Sequence, residues 1–225
     1  MTSNNRDASV LTIFDLCDTL YAANTTVGFL SYYSNFQSSN ALSLALDRWT
    51  RKASPFFALG AFAYRFAMWD LARERMVAAL AGEPRPRLED AAREYATSVL
   101  PPLANLPLHD CLTAHRNKGD RVVLVSSSLD LVVAPIAAAL QTEYRASTLG
   151  FSGGICTGRI VRDLTGRKAA VVRELAGETR RYLSVYTDNR SDRDIIAMAD
   201  HATIVIPHGR AEKRWGKSDC DIIQL

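Results

Sequence analysis

Val10-Leu11-Thr12-Ile13-Phe14-Asp15-Leu16-Cys17-Asp18-Thr19-Leu20 decides how this chain is read. Five mostly apolar, β-prone residues end abruptly in an aspartate. That pattern predicts a buried parallel strand followed by a functional loop. Three further runs repeat it. Arg121 to Val125 follows a turn at Gly119-Asp120 and ends in Ser126-Ser127-Ser128. Tyr182 to Tyr186 ends in Thr187-Asp188, and Thr203 to Ile206 is stopped by Pro207.

Helical spacing fills the intervals. Val132, Val133, Ile136, Ala137 and Leu140 recur on one face, with Pro135 predicted to kink that helix or delay its start. Val171, Val172 and Leu175 follow Lys168, and Ile195, Ile196 and Ala199 follow Asp192. Strands alternating with helices predict an α/β fold: a Rossmann-like open parallel sheet with helices on both faces. Right-handed crossovers bring the C-terminal strand ends to one edge, where ligands bind in such sheets. Asp15, Asp18, Ser126, Asp188 and Asp192 converge there on these grounds alone.

Residues 25–103 break the alternation and read as consecutive helices. Leu88, Ala91, Ala92, Tyr95, Ala96 and Val99 form one apolar stripe after the break at Gly82 to Pro86, and Pro101-Pro102 stops it. The expected organisation is an α/β core of residues 10–24 and 104–225, with an all-helical cap, 25–103, inserted after the first strand and covering the catalytic edge. Phe151 to Arg162 holds three glycines between β-prone residues, which predicts a hairpin serving as a connection or as a substrate contact. Pro55 to Trp69 is apolar except for Arg65, but shorter than the roughly 18–20 residues that span a bilayer. A buried or interfacial helix is expected there.

Of 225 residues, 48% are hydrophobic and 23% charged, as in ordinary globular proteins, and the formal net charge is +3. The basic residues are scattered rather than clustered, which argues against nucleic acid as a partner. Cys17, Cys111, Cys156 and Cys220 show no zinc spacing, so reduced thiols in a cytoplasmic protein are expected. Met1 to Ser9 is polar and carries no apolar signal core.

An aspartate carboxylate can take a phosphoryl group if the surrounding negative charge is neutralised. Magnesium held by carboxylates and carbonyls does this, and a lysine with a hydroxyl can hold the remaining oxygens. Phe14 to Leu20 resembles the first motif of the haloacid dehalogenase superfamily, DxDxT after an apolar strand. Ser126, Lys168 in Gly166-Arg167-Lys168, and the pair Asp188 and Asp192 in Thr187 to Asp192 resemble the other three motifs, in order. The helical insertion and the glycine-rich hairpin resemble the phosphoserine-phosphatase-like branch.

That resemblance implies a magnesium-dependent phosphomonoester hydrolase acting on a small phosphorylated substrate. Asp15 would be the nucleophile. Ser126, Ser127 and Lys168 would bind phosphate. Asp15, the Cys17 carbonyl and Asp188 would hold magnesium, with Asp192 in or behind the metal shell. One position departs from the motif. The second aspartate, which normally acts as acid and base, is replaced by Cys17, and Asp18 follows it as the alternative catalytic carboxylate.

Other readings stay open. The apolar Pro55–Trp69 stretch beside Arg48, Arg51 and Lys52 suits a lipid- or glycan-phosphate phosphatase with peripheral membrane contact through the cap. Cys17 suits a catalytically weak phosphate-binding protein, and a phosphotransferase is a further alternative. Arg73, Glu74 and Arg75 read as a solvated helix face sooner than as substrate contacts. His109, His115, His201 and His208 show no paired spacing and read as structural.

Overall fold

The computed structural model describes residues 10–37, 40–67, 70–177, 182–207, 209 and 220–225. Seven strands form one sheet in the order β4-β3-β2-β1-β5-β6-β7: β1 (Leu11–Phe14), β2 (Arg121–Leu129), β3 (Glu143–Ser152), β4 (Ile155–Arg162), β5 (Leu183–Thr187), β6 (His201–Ile206) and β7 (Asp221–Gln224). Only β4 is antiparallel to its neighbour. Central β1 lies between β2 and β5, with Phe14 opposite Leu124 on one side and Tyr186 on the other.

Alternation along the strands sends side chains to two faces. Leu11, Ile13, Val123, Val125, Leu183 and Val185 pack on α8 (Lys168–Ala176) and α9 (Arg193–Met198). Phe14, Val122 and Leu124 face the other way, into a larger cluster with α6 (Leu106–Asn117) and α7 (Asp130–Leu140). That cluster runs on without a break into the helices between β1 and β2: α1 (Thr25–Gln37), α2 (Asn40–Thr50), α4 (Leu71–Ala78) and α5 (Arg85–Glu94). A further helix, α3 (Pro55–Ala67), completes the insertion. None of the described helices is long and apolar enough to cross a membrane.

Several elements differ from the sequence expectation. β2 does not stop at Val125 but continues through the three serines, with its register against β3 shifting after Val125. β3 begins eight residues before the expected hairpin, and its polar start at Glu143 is held by Arg121 at 2.7 and 2.8 Å. α7 starts at Asp130, so Pro135 sits inside the helix instead of delaying it. The stripe ending at Val99 breaks down because Tyr95–Val99 winds as a π turn, with the Leu100 N–H donating to the Tyr95 carbonyl at 2.9 Å. The wider turn rotates Val99 outward to 38% exposure and Leu100 fully inward.

The hairpin turns on Gly153-Gly154, both at positive φ, as a two-residue type I′ loop requires. Its main task is neither of the two expected ones. None of its residues lines either cavity described below. Instead it fastens the insertion to the sheet: Gly82 N–H donates to the Cys156 carbonyl, Cys156 N–H to Glu83, and Arg85 N–H to Gly154, at 2.8–2.9 Å. Gly158, at φ 67°, lets β4 approach α4 so closely that a Cβ would stand 2.8 Å from the Ala78 carbonyl.

Candidate active site

Asp15 follows the last residue of β1, its N–H donating to the Tyr186 carbonyl of β5 at 2.9 Å. Its carboxylate is buried. Oδ1 accepts the Leu16 N–H at 2.7 Å, and Oδ2 lies 2.8 Å from Lys168 Nζ. Lys168 opens α8, and its ammonium also meets Asp192 Oδ2 at 2.9 Å. That same oxygen accepts the Thr187 hydroxyl at 2.8 Å. Burial works against the Lys168 ammonium, but the Asp15 and Asp192 carboxylates together outweigh it and hold the lysine charged, above its ordinary value. Burial pushes the Asp15 carboxyl up; Lys168 opposes this and Asp192 reinforces it. The lysine ammonium is thus held between two buried carboxylates.

Asp15 opens into a cavity of about 430 Å³. Cys17, Asp18, Ser126, Ser127, Ser128 and Asp188 line its sheet side; Trp49, Phe57, Gly60, Ala61, Asp70, Ala72 and Arg73 of the insertion line the other. The insertion therefore covers the strand edge. Lys168 and Asp192 stand in a smaller adjoining recess that shares Ser127, Thr165 and Asn189 with the main cavity. Thr19 orients Asp188 reciprocally: its hydroxyl donates to Oδ1 at 3.2 Å and accepts the Asp188 N–H at 3.0 Å.

Cys17 sits in a small cage of hydroxyls. Its Sγ lies 3.3 Å from the Thr25 hydroxyl, the Ser128 hydroxyl and the Thr25 N–H, and the two hydroxyls are 2.7 Å apart. Burial pushes the thiol up, and neighbouring Asp15 pushes it further. Both effects favour the protonated thiol. Asp18, next to it, takes a left-handed backbone (φ 55°) and lines the cavity.

Arg73 reverses the sequence expectation of a solvated face. It is buried, and its guanidinium reaches from α4 to the core, donating to the Ser127 carbonyl, to Asp163 Oδ1 at 2.6 Å and to Thr165 at 2.9 Å. Its Nε makes no hydrogen bond among the described residues; the Asp70 carboxylate stands 3.6 Å away. The sequence signal was present only as a cation preceded by an N-cap aspartate, Asp70, whose side chain accepts the Arg73 N–H at 3.1 Å. Arg73→Met should remove three charge-assisted bonds to groups that are partly exposed. The expected cost is about 2 kcal/mol, or ~4–8 °C in Tm. An unchanged melting curve would show that Arg73 does not tie the insertion down.

The histidines lie away from this edge. His115 bridges Asp120 at 2.7 Å and Tyr186 at 3.0 Å, His109 meets the Leu20 carbonyl at 3.1 Å, and His201 meets Asp221 at 2.9 Å. His208 lies outside the described residues. The four cysteines are free thiols.

The sequence model of the haloacid dehalogenase-like hydrolases matches residues 12–197, which spans β1, the insertion, Lys168 and Asp192. The chain belongs to the haloacid dehalogenase-like hydrolases. Within the curated proteins it is 27% identical to a probable phosphatase of Mycobacterium tuberculosis over 205 residues, 89% of this chain and 70% of that protein. Its dehalogenase-like fold recurs in a Bordetella pertussis Tohama I protein of unknown function, with TM-score 0.65, 22% identity, and 90% and 92% of the two chains covered. It recurs in a phospho-aspartyl intermediate analogue of phosphoserine phosphatase, with TM-score 0.60, 17% identity, and 94% and 92% covered.

Among the described residues, no group of three or more His, Cys, Asp or Glu side chains gathers to hold a metal. A magnesium site would not need such a group, because that ion keeps several waters and takes only one or two carboxylates. Asp15 and Asp188 line one cavity and offer hard oxygens, while the softer Cys17 sulfur is engaged by Thr25 and Ser128. This donor set suits a hard divalent cation.

Proposed function

We propose that the protein is a magnesium-dependent phosphomonoester hydrolase working through Asp15. The observation that carries the reading is the buried line Asp15–Lys168–Asp192 at the sheet edge, opening on a cavity walled by Ser126, Ser127 and Ser128. The family and the phosphatase named among its relatives support the same reaction class.

In the first step a carboxylate oxygen of Asp15 attacks phosphorus. The ester P–O bond breaks, and its electron pair leaves with the alcohol oxygen, which needs a proton. In the second step water attacks the aspartyl-phosphate and gives up a proton, and inorganic phosphate leaves with the Asp15 carboxylate restored. Overall, ester and water give alcohol and phosphate. Lys168 offsets the charge of Asp15 and of the incoming phosphoryl oxygens, and Asp192 with Thr187 fixes the ammonium in place. Ser126 and Ser127 offer hydrogen bonds to those oxygens.

Asp15, the Cys17 carbonyl and Asp188 would hold magnesium, with Asp192 acting behind them through Lys168. Bound there, the ion supplies the positive charge that lets an anionic carboxylate approach an anionic phosphate. Residues 25–103 would serve as a cap over the core of 10–24 and 104–225, excluding water during transfer and admitting it for hydrolysis. The test is phosphate release from p-nitrophenyl phosphate with magnesium, then with a chelator. Chelation is expected to remove at least about two orders of magnitude, restored by excess magnesium. Full activity in the chelator would refute the metal dependence.

A further inference from the structure

α3 is apolar on every described face. From Pro55 to Ala63 it carries no polar side chain. Phe57, Gly60 and Ala61 line the catalytic cavity. Phe56, Leu59 and Phe62, spaced three apart on an adjacent ridge, are 38%, 49% and 60% exposed. A surface helix normally turns a polar face outward; one that is apolar all round meets protein or lipid there.

The charge beside this ridge identifies what covers it. Arg48 lies in the last turn of α2 with its guanidinium 4.8 Å over the Phe56 ring. Arg51 and Lys52 follow in the exposed turn into α3, where Asp47 is the one carboxylate among the described residues that pairs with them, meeting Arg51 at 2.8 Å. Three cations against one carboxylate, at the end of an exposed apolar helix, match an anionic lipid surface. A second copy of this chain would present the same cations to one another.

The cavity supports the same partner. Its sheet side is polar, whereas Trp49, Phe57, Gly60, Ala61 and Ala72 give its insertion side an apolar stretch beside Asp70 and Arg73. α3 thus joins the catalytic cavity to the exposed ridge in one continuous apolar path. We propose that the α2–α3 hairpin seats the protein on an anionic membrane surface, and that the substrate is a phosphomonoester with an apolar tail taken from that surface. The substrate half of this inference rests on the phosphomonoesterase reading above; the seating half does not.

The experiment uses the full chain and two assays. Sedimentation is measured with phosphatidylcholine vesicles and with vesicles also containing phosphatidylglycerol. Phosphate release is measured from phosphatidic acid in the second vesicles and from soluble p-nitrophenyl phosphate. The protein should sediment with the anionic vesicles, less so in high salt. Leu59→Gln with Phe62→Gln, at exposed positions that do not line the cavity, should cut sedimentation and phosphatidic acid turnover about tenfold or more. It should leave p-nitrophenyl phosphate turnover unchanged. Lys52→Glu should weaken sedimentation at low salt only.

Absence of sedimentation with either vesicle would overturn the seating. So would a concentration-dependent dimer that the double substitution dissolves. Equal phosphatidic acid turnover by wild type and double variant would overturn the substrate class. Failure on p-nitrophenyl phosphate as well would refute the phosphomonoesterase reading, with the sedimentation result deciding the seating by itself.

Discussion

The Asp15→Asn protein is expected to fold normally and to lose turnover by about 10⁴-fold or more. Asparagine keeps the oxygen that accepts the Leu16 N–H, so the turn after β1 survives. Lys168 keeps its second partner, Asp192 Oδ2 at 2.9 Å, so no buried charge is stranded. An amide oxygen is a far weaker nucleophile than a carboxylate, and losing a nucleophile removes the covalent route as a whole. The measurement is a single-turnover assay beside a thermal melt. Near wild-type turnover in a normally folded Asp15→Asn protein would remove Asp15 from the chemistry.

Cys17→Asp is expected to accelerate hydrolysis of an alkyl phosphate by about 10²–10⁴-fold, the usual worth of general acid–base help. Burial and Asp15 keep the Cys17 thiol protonated, so it is a poor base for the water of the second step. The hydroxyls of Thr25 and Ser128 that now surround the sulfur could donate to a carboxylate in its place. An aryl ester, whose leaving group needs no proton, should gain less. Asp18, already in the cavity wall, is expected to supply the partial help available to the native enzyme, so Asp18→Asn should slow the alkyl ester more than the aryl ester. If Cys17→Asp accelerates neither ester, the missing carboxylate does not limit this protein, and a phosphate-binding role gains ground.

The frame was legible because it is written in local patterns. β1, the core of β2, β5 and β6 are apolar runs, and the first three end within a residue or so of a polar group at the cavity. Asp15, Asp18, Ser126 and Asp188 therefore reach one cavity as alternation alone predicts. What escaped depends on partners distant in sequence. β3 begins with Glu143-Tyr144-Arg145, which reads as a polar loop until Arg121 and the edges of β2 and β4 are present. The π turn at Tyr95–Val99 leaves no mark in composition; only the burial of Leu100 in place of Val99 reveals it. Arg73 looks like any helix-surface cation, because its partners lie 54 to 92 positions downstream.

The apolar cluster that passes unbroken from Phe14 and Leu124 into Phe29, Tyr33, Leu80 and Leu88 has a consequence for how the molecule is assembled. The insertion can neither complete its own interior without the sheet nor leave the sheet with a finished surface. Excising it would bare Phe14-side residues to water at roughly 25 cal/mol for each Å² exposed. The two parts are therefore expected to unfold as one cooperative unit. The cluster thins out in the α2–α3 hairpin, which packs chiefly on α1, on α4 and on itself. Local opening would start at that hairpin while the shared interior stays closed.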